Sequence, residues 1–289
     1  MKYEFVRSQE SVYPVKTLCR VLGIKRSGYY AWRTRLPSQR AQANEKLLVQ
    51  IQTEYQRSGQ TYGTYGSPRI FKSLRSHKVS CSRKRVARLM RLHKLVARKG
   101  CHPKPHTTQR NPQAQPAPHL LQQAFVALTP NCKWASDITY IDTAEGWLYL
   151  AVVLDLFSRR VVGWAMASQI DTALVLSAWQ MAWSQRRPST GLLHHSDQGS
   201  QYTSAAYLQS LAAAHCQVSM SRVGNCFDNA VVESFFATLK AECAYHQFAS
   251  RAQARITIFE YIEVWYNRQR LHSTIGYLSP VEFELQSRH

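Results

Sequence analysis

Apolar residues change their spacing about midway along the chain. Upstream they recur at helical intervals. Val15, Leu18, Val21 and Leu22 form a stripe that Pro14 can open and Gly23 can end, and a second short helix from Ser27 carries Tyr29, Tyr30 and Trp32. Leu47, Leu48 and Ile51 mark a third helix, and Ile70, Phe71 and Leu74 another after a turn-rich stretch at 61–68. Ser82 then caps a helix in which Val86, Leu89 and Met90 face a core. Its Arg83, Lys84, Arg85, Arg88 and Arg91 spread over the remaining surface, as on a helix that docks on DNA.

From Gly100 to His119 the chain is polar, proline-rich and without apolar period, which predicts an extended linker. Beyond it the pattern changes to strands. Segments 132–141, 147–156 and 160–168 read as a meander, the second so evenly apolar that it suits burial on both faces. A helix capped by Asp171 follows, then a strand at 192–195, a helix at 205–215, a strand at 217–220 and a helix from Ala230. That order predicts an α/β fold of ribonuclease-H-like type, a mixed sheet with flanking helices, preceded by an all-α helix-turn-helix region. The expected divisions are a helix-turn-helix segment at 1–36, a basic helical DNA-binding domain at 37–100, a linker at 101–124, a catalytic core at 125–245 and a helical extension at 246–289.

Charge narrows the partner. The 289 residues hold 37 Lys and Arg against 17 Asp and Glu, a formal net charge of +20. No acid occurs between Tyr55 and Ser136. Such an excess implies a polyanion, and double-stranded DNA fits better than a membrane surface because no long apolar helix or lipidation motif is present. The N-terminus has no apolar signal region, and the seven cysteines are scattered singly, so reduced thiols in a cytoplasmic protein are expected. Cys101 and His102, with His93 and His106, lack a second cysteine at zinc-ligand spacing.

Three carboxylates carry the chemistry. Asp137 lies in the first predicted strand, Asp197 at the end of the fourth, and Glu233 on the late helix, with 35 residues between the last two. Carboxylates arriving from three elements suit a pair of Mg²⁺ ions, with Mn²⁺ a possible substitute, that clamp the attacking and leaving oxygens of a phosphodiester. On the late helix, Val231, Phe235, Leu239 and Cys243 should face the core, while Glu233, Ala237 and Lys240 share another face. Lys240 is placed to hold a DNA phosphate. Asp142 and Glu145 read as turn residues, Asp155 as the partner of Arg159 or Arg160, and Asp171 and Asp228 as caps. His194 and His195 read more readily as satisfied strand-end histidines than as substrate-orienting groups, and Ser196 has no recognisable base.

The residues also carry a family likeness. The blocks are Cys19-Arg20-Val21-Leu22-Gly23, Ser82 to Met90, Trp134 to Tyr140, His195 to Tyr202, Gly224 to Lys240, and Tyr266 to His272. Together and in order, they make the chain resemble the second-reading-frame (OrfB) transposase of the bacterial insertion-sequence-three family. That family shares the DDE superfamily with the retroviral integrases. The resemblance implies an integrase-like catalytic core in which Asp137, Asp197 and Glu233 hold two Mg²⁺ and Lys240 touches the transposon end. The implied reaction is cleavage at the element's end, then attack of the freed 3′-hydroxyl on a second phosphodiester. It further implies a homo-oligomer on DNA at the bacterial nucleoid and a partner or frameshift fusion with the upstream-frame (OrfA) protein, whose leucine zipper has no counterpart here, where no sustained heptad repeat is present. The alternative is a non-catalytic DNA-binding regulatory or remnant protein.

Overall fold

A computed structural model describes residues 1–59, 63–98, 116–222 and 226–287. Cys101, His102, His106 and most of the proline-rich stretch therefore lie outside the described residues. Contacts divide the chain into two compact units, Met1–Gln50 and Ile51–His289.

In the first unit, helices α1 (Lys2–Gln9), α2 (Val15–Val21) and α3 (Arg26–Thr34) close on a small core of Val6, Cys19 and Tyr29. Helix α1 adds to the two helices expected. Gly23 takes φ +64° at the turn after α2, a conformation that favours glycine. The Tyr29 hydroxyl donates to Glu10, which also pairs with Arg33 at 3.0 Å. Helix α4 (Gln39–Arg57) runs on into the second unit.

There α5 (Ser67–Ser76) and α6 (Arg83–Leu92) pack on each other. The Ser82 hydroxyl accepts from Arg85 N at 3.3 Å, the expected cap, and Val86, Leu89 and Met90 are buried. The sheet follows: β1 (Lys133–Ile141), β2 (Leu148–Asp155) and β3 (Val161–Ala167), then helix α7 (Thr172–Arg186), β4 (Leu193–Ser196), α8 (Ala205–Ala213) and β5 (Gln217–Met220). Among the described residues the strand order is β3-β2-β1-β4-β5, with β1, β2 and β3 antiparallel and β4 and β5 parallel to β1. This is the predicted mixed sheet.

Both faces are covered. Leu174, Val175, Ala178 and Trp179 of α7 and Tyr207 and Leu211 of α8 bury Trp134, Ala151 and Val153 on one side. On the other, helix α9 (Ala230–Glu242), helix α10 (Arg251–Glu260) and the π-helical turn Tyr261–Tyr266 bury Ala135, Ile141, Leu150 and Val152. Gly163 permits the close approach of α7 to β3: a Cβ there would stand 2.3 Å from the Ala178 carbonyl oxygen.

The C-terminal helix α11 (Pro280–Gln286) starts with a capping box of Ser279 and Glu282. Its buried Glu284 bonds Ser158, Arg160 and Arg186. No helix among the described residues is long and apolar enough to cross a membrane.

Candidate active site

The first two carboxylates stand on, and just beyond, two adjacent strands. β1 pairs with β4 in parallel, Lys133 against Leu193, Trp134 against His194 and Ala135 against His195. The pairing ends there; Asp137 follows two residues later on β1, and Asp197 comes just past the end of β4. Neighbouring strands lie about 4.8 Å apart, and residues at matching positions of a parallel pair project to one face. Asp137 shares its face with Ala135 and Ile141, which is the side covered by α9. Both aspartates are half-buried, so ions and substrate can reach them. Asp137 Oδ1 accepts from Ile138 N at 2.8 Å and Asp197 Oδ1 from Gly199 N at 2.9 Å, which fixes each carboxylate against its own backbone.

Helix α9 is tied to β1 near both its ends. Asn229 Nδ2 donates to the Ser136 carbonyl at 3.1 Å, and Lys240 Nζ lies 3.9 Å from the centre of the Tyr140 ring. Burial lowers the Lys240 pKa and the nearby Asp137 charge opposes that shift. Val232, Phe235, Phe236 and Leu239 face the core, whereas Glu233 is half-buried and Ala237 exposed. Val231 is only half-buried at the margin of the same cluster.

Asp137 and Asp197 both lie near enough to the buried Tyr202 to act on its phenol, and Glu233 stands on α9, which Asn229 ties to β1. Among the described residues, however, no three His, Cys, Asp or Glu side chains are gathered tightly enough to hold a metal ion. The donor set still fits a hard divalent cation, because it consists of carboxylate oxygens beside open solvent. Tyr202 lies in the same neighbourhood: burial, then Tyr207, Asp137 and Asp197, push its phenol well above the ordinary range.

The competing groups have structural partners. His194 is sealed from water, and its Nε2 contacts the Tyr207 hydroxyl at 2.8 Å. His195 contacts Ser219 at 2.9 Å and Ser221 at 3.1 Å. Burial lowers their pKa values to about 3 and about 4, so both are neutral at physiological pH. Asp155 accepts from the backbones of Asn131 and Phe157, and its cation is Arg186 at 3.6 Å, not Arg159 or Arg160. Asp171 caps α7 through Leu174 N, and Asp142 and Glu145 accept from Gln247 and Arg251. On α6, Arg83, Lys84, Arg88 and Arg91 are exposed and Arg85 is half-buried.

Two acids do more than their positions suggested. Asp228 is fully buried just before α9 and is gripped by Arg222 and Gln123. Glu242 is buried at the far end of α9 and bonds Arg270, Tyr261, Trp265 and Thr64. Glu242 falls at helical spacing from Phe235 and Leu239, and an acid on an apolar stripe signals a buried partner. Arg222 stands six residues before Asp228, but nothing local reveals its other partner, Gln123.

The description "Integrase core domain" matches residues 127–226 and again 233–287, and "HTH-like domain" matches residues 42–102. The chain is 43% identical, over 98% of its own length and 98% of the relative's, to the transposase InsF for insertion sequence IS3A of Escherichia coli (strain K12). It is 42% identical to the insertion element IS600 uncharacterized 31 kDa protein of Shigella sonnei, over 92% of this chain and 97% of that one. Among solved structures, the simian T-cell lymphotropic virus intasome in complex with PP2A regulatory subunit B56 gamma aligns with 74% of this chain and 69% of its own, at 16% identity and a TM-score of 0.47. The HTLV-2 integrase catalytic core domain in complex with magnesium aligns with 55% of this chain and 99% of its own, at 16% identity and a TM-score of 0.42.

Proposed function

We propose a site chemistry for a chain that belongs to the IS3 family of insertion-sequence transposases, and is therefore a DNA transposase of the DDE polynucleotidyl-transferase class. Asp137, Asp197 and Glu233 hold the divalent metal on which an integrase core depends, two Mg²⁺ ions with Mn²⁺ as a possible substitute. What supports this reading is that Asp137 and Asp197 both act on the buried Tyr202, while Asn229 ties α9, which bears Glu233, to β1 beside Asp137.

When bound, the ions neutralise the carboxylates and stabilise charge on the attacking and leaving oxygens of the phosphodiester. The aspartates, braced by the Ile138 and Gly199 amides, orient that centre, and Lys240 steadies a phosphate of the transposon end. First water and then the freed 3′-hydroxyl enters as nucleophile. One site serves both steps because positioning selects the nucleophile. The exposed Arg83, Lys84, Arg88 and Arg91 of α6, with Arg85 beside them, grip the DNA backbone. The divisions at 1–36, 37–100, 101–124, 125–245 and 246–289 belong to this proposal, as do assembly into a homo-oligomer on DNA and partnership with an upstream-frame OrfA protein.

The test is incubation of the chain, alone and fused to the upstream-frame product, with labelled element ends and Mg²⁺. Nicked ends and strand-transfer products are expected, and Asp197→Asn should lose both while still binding DNA. Full activity in Asp197→Asn, or cleaved ends without any joined product, would overturn the proposal.

A further inference from the structure

Asp228 sits where the chain entering the core meets the helix of the third carboxylate. Its side chain is sealed from water. Oδ2 accepts from Arg222 N at 2.9 Å and Arg222 Nε at 3.1 Å. Oδ1 accepts from Arg222 Nη2 at 3.1 Å and Gln123 Nε2 at 2.9 Å, with His119 Nε2 at 3.5 Å. The Arg222 guanidinium holds the carboxyl well below the usual carboxylate range. Gln123 and His119 belong to the stretch that docks on β5, where Ser219 Oγ accepts from Leu120 N and Leu121 N. The residue after Asp228 is Asn229, which bonds Ser136 beside Asp137.

We infer that Asp228 is a positioning residue for Glu233, clamping the start of α9 to the incoming chain so that the third carboxylate is held ready for the two aspartates. The inference rests on the reading of Glu233 as a metal ligand. A cap would need only the amides of the first helical turn, yet among the described residues this carboxylate accepts from Arg222 and Gln123, both outside α9. The clamp therefore fixes where the helix begins. It also joins the third carboxylate mechanically to the stretch that leads from the HTH-like region into the core.

The experiment is a Mn²⁺ titration of the full chain by calorimetry, with cleavage of labelled element ends run in parallel. Partners behind a metal ligand typically change metal affinity by about 10–100-fold when lost. Asp228→Asn is expected to raise the half-saturating Mn²⁺ by about 10-fold. Its DNA affinity at fixed salt should be unchanged, and its cleavage should recover in part as metal is raised. Asp228→Glu should regain part of the metal affinity, which a change of fold alone would not produce. If Asp228→Asn does not fold, Gln123→Leu, altered at an exposed side chain, should shift the titration in the same direction by less. Titrations that overlay the wild type in the folded variants overturn the inference. Glu233→Gln separates the two claims. Undiminished metal binding and cleavage in that variant sinks the ligand reading itself, whereas a silent Asp228→Asn beside an inactive Glu233→Gln sinks only the positioning role.

Discussion

Arg270 Nε lies 2.9 Å from one carboxylate oxygen of Glu242 and 3.0 Å from the other, with both side chains nearly closed to water. The pair fastens the C-terminal segment to the end of the helix that carries Glu233, and Thr64 adds a bond from the HTH-like region at 3.0 Å.

Removing one partner strands the other. Arg270→Met leaves a buried carboxylate without its cation and is expected to cost about 3–5 kcal/mol, read as a lower midpoint in urea unfolding. Changing Glu242 and Arg270 together to apolar residues should cost less than Arg270→Met alone. A larger loss in the double variant would show that the pair does more than neutralise itself.

DNA affinity should fall steeply with salt. The logarithm of the binding constant is expected to be linear in the logarithm of salt concentration. Arg88→Ala, on the exposed face of α6, should reduce that slope by about one. Filter-binding or anisotropy titrations across a range of salt would read it, and a slope unchanged by Arg88→Ala would remove this residue from the phosphate contacts.

Lys240→Gln should weaken binding of the element's end, with a salt slope smaller by about one, and leave the Mn²⁺ titration unaltered. The Tyr140 ring holds the lysine through a cation–π contact. Tyr140→Leu is therefore expected to cost about 0.5–1 kcal/mol of stability and to loosen the same contact. Thermal unfolding and binding titrations on both variants check this.

Stability should decline in acid. His194 and His195 are held neutral in the fold, at about 3 and about 4, whereas an unfolded histidine takes up a proton near 6.5. Below about pH 6.5 the unfolded chain binds protons that the native one does not, so each pH unit of descent costs up to about 1.4 kcal/mol per histidine. The loss continues until the folded values are reached. Urea unfolding at pH 7 and pH 5 measures it, and replacing His195 by Gln should make the acid branch shallower.

Elements with strong periodicity were legible from residues alone. The even apolar run of β2 announced a strand covered on both sides, and every residue of it except Tyr149 is buried. The two aspartates could be singled out from residues alone as candidate ligands, but the pairing of their strands could not, because Ala135 meeting His195 is a tertiary event. Helix α1 escaped notice because only Val6 is buried along it and no side chain caps it. The π-helical turn at Tyr261–Tyr266 leaves no period of its own. Asp228 looked like a cap because caps are local, while its partner Gln123 lies far away along the chain.

The central place of β1 has a consequence for how such chains can change length. Bonded on one edge to β2 and on the other to β4, it cannot slip, and one inserted residue between Trp134 and Asp137 would turn the carboxylate to the opposite side of the sheet. Insertions in the exposed 187–191 connection between α7 and β4 disturb no such alternation. Descendants of this protein are therefore free to vary there, and hardly at all within a few residues of the first aspartate.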